Sequence, residues 1–262
     1  CVSARDTLSM SSSASDVDKE QLNNPEKRNA MSPALISGLK EAFLSMESND
    51  NVKVVLLSAS GKAFCAGADL AYLQQMQEFT YEQNLADSRS LKELFELIYN
   101  FPKVVIAAVQ GHALAGGCGL VTVCDFAFSV PEALFGYTEA AIGFVPALVS
   151  VFLLEQIGGA KTQELLLSGE LITSSKAAEL GLITEVMPSE ELEKTAVNFA
   201  QKLIVKNSSS SMTDTKMLLR ELTKETRTKG LDVAAELNAK VRANPDCKQG
   251  IAAFLSKTKP VW

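Results

Sequence analysis

Gly111-His112-Ala113-Leu114-Ala115-Gly116-Gly117-Cys118-Gly119-Leu120 is the stretch on which the reading of this chain turns. Immediately before it stands Val104-Val105-Ile106-Ala107-Ala108-Val109, an unbroken apolar run that reads as a buried strand. The glycines then open a helix. A backbone without side chains at a helix N-terminus exposes unpaired N–H groups and the positive end of the helix dipole, a setting that holds anions and developing negative oxygen. A tight glycine turn is the plainer alternative. No G-K-[ST] follows, which argues against a phosphate loop, and Gly116-Gly117-Cys118-Gly119 does not match a dinucleotide fingerprint.

A second glycine loop stands upstream. Phe64-Cys65-Ala66-Gly67-Ala68-Asp69-Leu70 follows a strand read over Val52 to Leu57. Gly67 allows a backbone conformation closed to other residues, and Asp69 is placed to cap a helix through Leu70 and Leu73. Two such loops, each after a strand, can offer one N–H apiece to the same oxygen, the geometry of an oxyanion hole. A third segment, Ala133 to Pro146, holds one carboxylate, Glu139, among small and apolar residues. Apolar surroundings favour the neutral carboxyl and suit it to proton shuttling, although a surface or capping glutamate is the plainer reading.

Around these loops the pattern alternates strand and helix. Ser32-Pro33 is a helix start, with Leu35, Leu39, Ala42, Phe43 and Met46 on one face. Further helices are read over Leu85 to Ile98, 147–157, 160–168 and 174–180, the last ending at Gly181. Strands are read at Phe126 to Val130 and Leu182 to Val186, and Ser189 is read as the cap of a longer helix. From Asn207 onward the pattern is nearly all helical. The expectation is an α/β core over 21–190, a helical C-terminal section over 191–262, and a disordered or atypical leader over 1–20. The leader is Ser-rich and aperiodic; Asp6, Asp16, Asp18 and Glu20 count against a transit segment.

Composition narrows the function. The 262 residues are 47% hydrophobic and carry a net charge of −6, which argues against a long basic surface for nucleic acid. Five cysteines without a C-x-x-C pair suggest neither a disulfide framework nor a zinc site, and fit reduced thiols in the cytoplasm or mitochondrial matrix. No apolar run reaches the roughly 18 residues that span a membrane. His112 is the one histidine and is read as structural or solvent-facing. Cys65 and Cys118 have no evident activating group.

Taken in order, Asn23 to Met31, Ala66-Gly67-Ala68-Asp69-Leu70, Gly116 to Leu120 with Cys124-Asp125, Phe135 to Glu139, and the tail from Gly250 to Pro260 resemble the enoyl-CoA hydratase/isomerase (crotonase) family over about residues 22–262. The resemblance implies a spiral of ββα units with a helical C-terminal part, assembled as a homotrimer or dimer of trimers. It implies an oxyanion hole from the N–H groups of Ala68 and Gly116, and Glu139 as acid/base. It also implies CoA contacts from Lys27, Arg28, Ala66, Asp69 and Leu70, with Lys257 and Lys259 weaker candidates. The CoA thioester is then the substrate, and no cofactor or metal is called for. Pocket walls are expected from Leu70, Leu73, Phe144 and Val145.

The chain departs from the family twice. Many family hydratases carry two glutamates; Glu139 matches the second, and Gly119 stands at the first. That leaves open hydration by one carboxylate, double-bond isomerisation, or a non-catalytic acyl-CoA-binding homologue. The run Ala141 to Ser150 resembles a subgroup linked with methylglutaconyl-CoA hydration. An RNA-binding side activity, known for one relative, has little support from the acidic balance. The second departure is that residues 1–20 lack the alternating apolar hairpin usual before the Asn-Pro segment.

Overall fold

The computed structural model describes residues 8–12 and 16–262. Its main sheet is built from β1 (Leu8–Ser12), β2 (Val17–Leu22), β3 (Val54–Ala59), β5 (Val104–Val109), β7 (Phe126–Ser129) and β10 (Glu185–Val186), in that spatial order. β1 and β2 are antiparallel; every other neighbour is parallel. A smaller sheet holds β4 (Ala63–Cys65), β6 (His112–Leu114), β8 (Leu134–Gly136) and β9 (Ile172–Thr173), with β9 antiparallel.

Each turn of the chain lays one strand in the large sheet, one in the small sheet, and then a helix. β3 and β4 lead to α2 (Leu70–Met76), β5 and β6 to α4 (Gly116–Thr122), and β7 and β8 through a 3-10 turn (Thr138–Ile142) to α5 (Ala147–Ile157). This is the expected spiral of ββα units. The repeat is hidden in sequence because the units differ in length: α3 (Tyr81–Tyr99) is an extra helix in the first. The run Val104–Val109 is buried at every position, which explains its lack of alternation.

α1 (Pro33–Glu47) opens at Ser32, whose side chain accepts from the Leu35 N–H, and buries Leu35, Leu39, Phe43 and Met46 as its spacing requires. α6 (Gly159–Ser168) and α7 (Ser174–Leu180) follow, α7 closing at Gly181 in the left-handed conformation. α8 (Leu192–Lys206) lies on β3 and β5, α9 (Ser209–Val241) packs along α3 and α5, and α10 (Pro245–Leu255) rests on α2 and the 3-10 turn.

Three expectations need correction. The leader read over 1–20 contains a strand pair, with Leu8 opposite Leu22 and Ser12 opposite Asp18; residues 1–7 and 13–15 lie outside the described residues. β2 reads Val-Asp-Lys-Glu-Gln-Leu, and its middle inward position is held by a buried Glu20 rather than an apolar residue, so alternation is invisible. Ser189 does not cap α8; Glu191 precedes that helix without a side-chain cap, while the Ser189 hydroxyl donates to Glu132. The strand read over Leu182 to Val186 is only Glu185–Val186, because the Leu182 N–H is taken by the Ala177 carbonyl that ends α7.

Candidate active site

The two glycine loops meet backbone to backbone. Gly67 has φ +88°, and a Cβ there would sit 3.1 Å from the Ala115 Cβ and 3.2 Å from the Leu114 carbonyl oxygen. At Gly117 a Cβ would fall 2.3 Å from the Cys65 carbonyl oxygen. Only glycine lets these chains approach so closely.

Met31 forms a parallel bridge across Ala68: its N–H donates to the Gly67 carbonyl at 2.7 Å, and its carbonyl accepts from the Asp69 N–H at 3.1 Å. In that pattern the N–H of the bracketed residue, Ala68, points to the other side. Gly116 is the first residue of α4, where the helix supplies no acceptor for its N–H. Neither N–H has an acceptor among the described residues, and both residues line one cavity of about 150 Å³. Just before Gly116, Ala115 holds φ 50°, ψ −126°, a conformation costing a non-glycine residue on the order of 1–3 kcal/mol. Its N–H donates to the Gly136 carbonyl at 2.7 Å, fixing where the helix begins.

Glu139 lines the same cavity. It is 9% exposed, and its Oε2 has no hydrogen-bond partner among the described residues. Burial pushes its carboxyl up to about 7, outweighing a hydrogen bond from its own N–H. The turn that carries it is held on both sides. Tyr137, fully buried, shares a 2.6 Å hydrogen bond with Thr122 of α4. On the other side the backbone of Ile142 touches Gly250 of α10, where a Cβ would lie 2.2 Å from the Ile142 carbonyl oxygen.

The position of the family's first glutamate is filled. A Cβ at Gly119 would come 2.5 Å from Val149 Cγ1 and 2.9 Å from Phe95 Cζ, and both side chains line the cavity. The run Ala141 to Ser150 supplies much of the wall through Ile142, Phe144, Val145, Ala147, Leu148 and Val149.

Ala66, Ala68, Gly116 and Glu139, singled out in the sequence, thus come together, with Leu73, Phe144 and Val145 as expected walls. Leu70 does not join them; it is 53% exposed. Lys27, Arg28 and Asp69 also stand outside the cavity. Lys27 and Arg28 lie on the strap, residues 23–31, that pairs with the first glycine loop, where the Arg28 carbonyl accepts from the Ala66 N–H at 3.1 Å; Asp69 ends that loop. Lys27 Nζ lies 3.0 Å from Asp69 Oδ2, and Asp69 Oδ1 accepts from the Tyr72 N–H, capping α2. Burial would raise the Asp69 carboxyl, but the Lys27 and backbone hydrogen bonds prevail and hold it below the usual range. Asn29, not foreseen, ties the strap down: it accepts from the Asn24 N–H and donates to the Ser60 and Ala63 carbonyls.

His112 is exposed, and its Nδ1 accepts from the Leu134 N–H at 3.1 Å, a structural role. Cys65 and Cys118 are fully buried, and burial pushes each thiol up to about 12, so neither is a thiolate near neutrality. Sequence reading also missed a polar group on the cavity wall: Tyr72, Asp87, Asn238 and Arg242.

An α/β spiral with two glycine loops facing a buried carboxylate defines a class, and comparison with known proteins gives it a family. The family model described as enoyl-CoA hydratase/isomerase matches residues 13–262. A putative enoyl-CoA hydratase of Thermus thermophilus is 42% identical over 239 residues, covering 91% of this chain and 94% of that protein. The 2,3-dehydroadipyl-CoA hydratase of Escherichia coli is 31% identical over 240 residues, covering 91% and 92%. The crystal structure of an enoyl-CoA hydratase from Mycobacterium avium superimposes with a TM-score of 0.86 at 31% identity, covering 97% and 98%. The chain belongs to the enoyl-CoA hydratase/isomerase family.

Proposed function

We propose that this protein hydrates, or in reverse dehydrates, a short enoyl-CoA through a thioester enolate, with Glu139 carrying the proton. The observation that carries this reading is the convergence on one cavity of two N–H groups without acceptors, at Ala68 and Gly116, and the unpartnered Oε2 of Glu139. The thioester oxygen accepts from both N–H groups. Water adds through its oxygen to the β-carbon while the double-bond electrons move toward the thioester oxygen, giving the enolate. Glu139 takes the proton the water loses and delivers it to the α-carbon, so the carboxylate is regenerated and water is added across the bond. Two fixed donors stabilise the charge that builds up; one such donor is worth about 10²–10³ in rate. A carboxyl raised to about 7 exchanges protons readily near neutral pH.

The cavity volume supports a short acyl group: about 150 Å³ is the size of a space that takes a benzene ring. Branched or dicarboxylic chains, such as the 3-methylglutaconyl group suggested by the run Ala141 to Ser150 or the dehydroadipyl group named for the Escherichia coli relative, are the finer reading. Lys27 and Arg28, exposed at the strap, are assigned to the CoA phosphates. The thioester is the substrate and no resident cofactor enters. The exposed apolar residues Leu218, Leu219, Leu222 and Val233 of α9 support assembly as a homotrimer or dimer of trimers. Free thiols at Cys65, Cys118, Cys124 and Cys247 fit the cytoplasm or the mitochondrial matrix.

The filled position at Gly119 favours a second reading, since a single carboxylate is also sufficient to move a proton between two carbons in a double-bond isomerase. Incubation with crotonyl-, 3-methylglutaconyl- and 3-enoyl-CoA separates the two. Hydration consumes the conjugated thioester absorbance and adds the mass of water. Isomerisation of the 3-enoyl ester creates that absorbance at constant mass. No change with any ester, despite binding, marks a non-catalytic acyl-CoA-binding protein.

A further inference from the structure

One wall of the cavity is polar, although nothing in the chemistry above uses it. Arg242, at the end of α9, is 6% exposed, and Asn238, one turn earlier, is 4% exposed. Both line the cavity together with Tyr72 and Asp87. The network fixes which atoms are spoken for. Arg242 Nη1 lies 2.7 Å from Asp87 Oδ2 and donates to Asn84 Oδ1 at 3.1 Å. Its Nε donates to Asn238 Oδ1 at 3.1 Å. Asp87 Oδ1 is taken by the Tyr72 hydroxyl at 2.5 Å.

Guanidinium nitrogens only donate, so the Asn238 oxygen must face Arg242 and its amide nitrogen must face elsewhere. Asn238 Nδ2 and Arg242 Nη2 therefore remain as donors, and neither has an acceptor among the described residues. Both residues line the cavity, so these two donors are open to whatever enters it, and a ligand oxygen that displaces solvent there gains hydrogen bonds that an apolar chain does not.

We infer that the acyl chain carries a hydrogen-bond-accepting oxygen, as a carboxylate or carbonyl, read by Asn238 Nδ2 and Arg242 Nη2 at the helical wall of the cavity. Asp87 already offsets the Arg242 charge, so hydrogen bonds, more than net charge, supply the selection. The inference rests on the acyl-CoA reading for the cavity's occupant but not on any particular reaction.

The test measures binding, which separates it from turnover. Calorimetry compares three saturated esters of equal chain length: pentanoyl-CoA, glutaryl-CoA and the terminal amide of glutaryl-CoA. At least one oxygen-bearing ester is expected to bind about tenfold or more tightly than pentanoyl-CoA, the effect of hydrogen bonds to charged and buried donors. Either order between the carboxylate and the amide supports the inference, since both supply the oxygen. The variant Asn238→Asp keeps the oxygen that faces Arg242 and replaces the donor with an acceptor. The preference for oxygen over pentanoyl-CoA, taken as a ratio of affinities within each protein, is expected to fall by about tenfold. Pentanoyl-CoA binding as tightly as both other esters, or an oxygen preference untouched by Asn238→Asp, overturns the inference. If none of the three esters binds, the acyl-CoA reading itself falls, and this inference with it.

Discussion

Replacing Glu139 with Gln is expected to reduce turnover and raise stability together, and the size of the second effect follows from the carboxyl's surroundings. Burial raises this group from an ordinary 4.5 to about 7 in the folded protein. At 1.36 kcal/mol per unit the charged form is disfavoured by roughly 3 kcal/mol. The folded state binds the proton more tightly than the unfolded chain, so the native protein is relatively most stable below pH 4.5 and loses stability as pH rises toward 7. Above about pH 8 the full cost is present. The glutamine of the variant has nothing to ionise, so the stability difference, variant minus parent, is expected near zero at pH 4.5, growing through pH 6, and reaching about 3 kcal/mol at pH 8. Urea unfolding of both proteins at fixed concentration across that range reads it directly. Turnover by the variant, with whichever ester the parent converts, is expected to fall by about 10²–10⁴, the usual worth of a positioned acid/base, with acyl-CoA affinity retained. A stability difference that does not change with pH would show that the carboxyl titrates normally and is not in an apolar cavity.

Other substitutions separate chemistry from scaffolding. Gly119→Glu, which restores the family's first carboxylate, is expected to lower the melting temperature without raising the rate, because Val149 and Phe95 occupy the space; overpacking of this kind costs about 1–3 kcal/mol. Asp69→Ala removes the α2 cap and is expected to cost about 1 kcal/mol with kcat within a few-fold of the parent. Because the Asp69 carboxyl is held low, that difference is present above the ordinary aspartate range and shrinks as pH falls below it, which acid unfolding measures. Asn29→Ala leaves the Asn24 N–H and the Ser60 carbonyl without their partner, while the Ala63 carbonyl keeps Gln110 Nε2, and a loss of roughly 2 kcal/mol in urea unfolding is expected.

Much of this arrangement was legible because it depends on backbone. A glycine needed for close approach, as at Gly67 and Gly117, announces itself by identity alone, and the buried run Val104–Val109 by its unbroken hydrophobicity. The capping box from Thr80 to Gln83 starts α3 at Tyr81, four residues before Leu85, where the helical spacing of apolar residues begins. What stayed hidden depends on residues brought together from far apart. Arg242 meets Asp87 across most of the chain, and nothing in either local sequence predicts the pair. The β1–β2 pair leaves no alternating pattern in the sequence because Glu20 holds an inward position. The leucine at position 70 was misplaced as a wall residue because helical spacing gives the turn on which it stands but not which side of α2 faces the cavity.

The central claim is that charge arriving on the thioester oxygen is met by two main-chain N–H groups. An infrared difference spectrum of acyl-CoA labelled with carbon-13 at the thioester carbonyl, bound to the Glu139→Gln protein, reads that oxygen alone. A carbonyl band moved to lower frequency relative to free ester is the predicted result; a band at the frequency of the free ester in water would contradict the account.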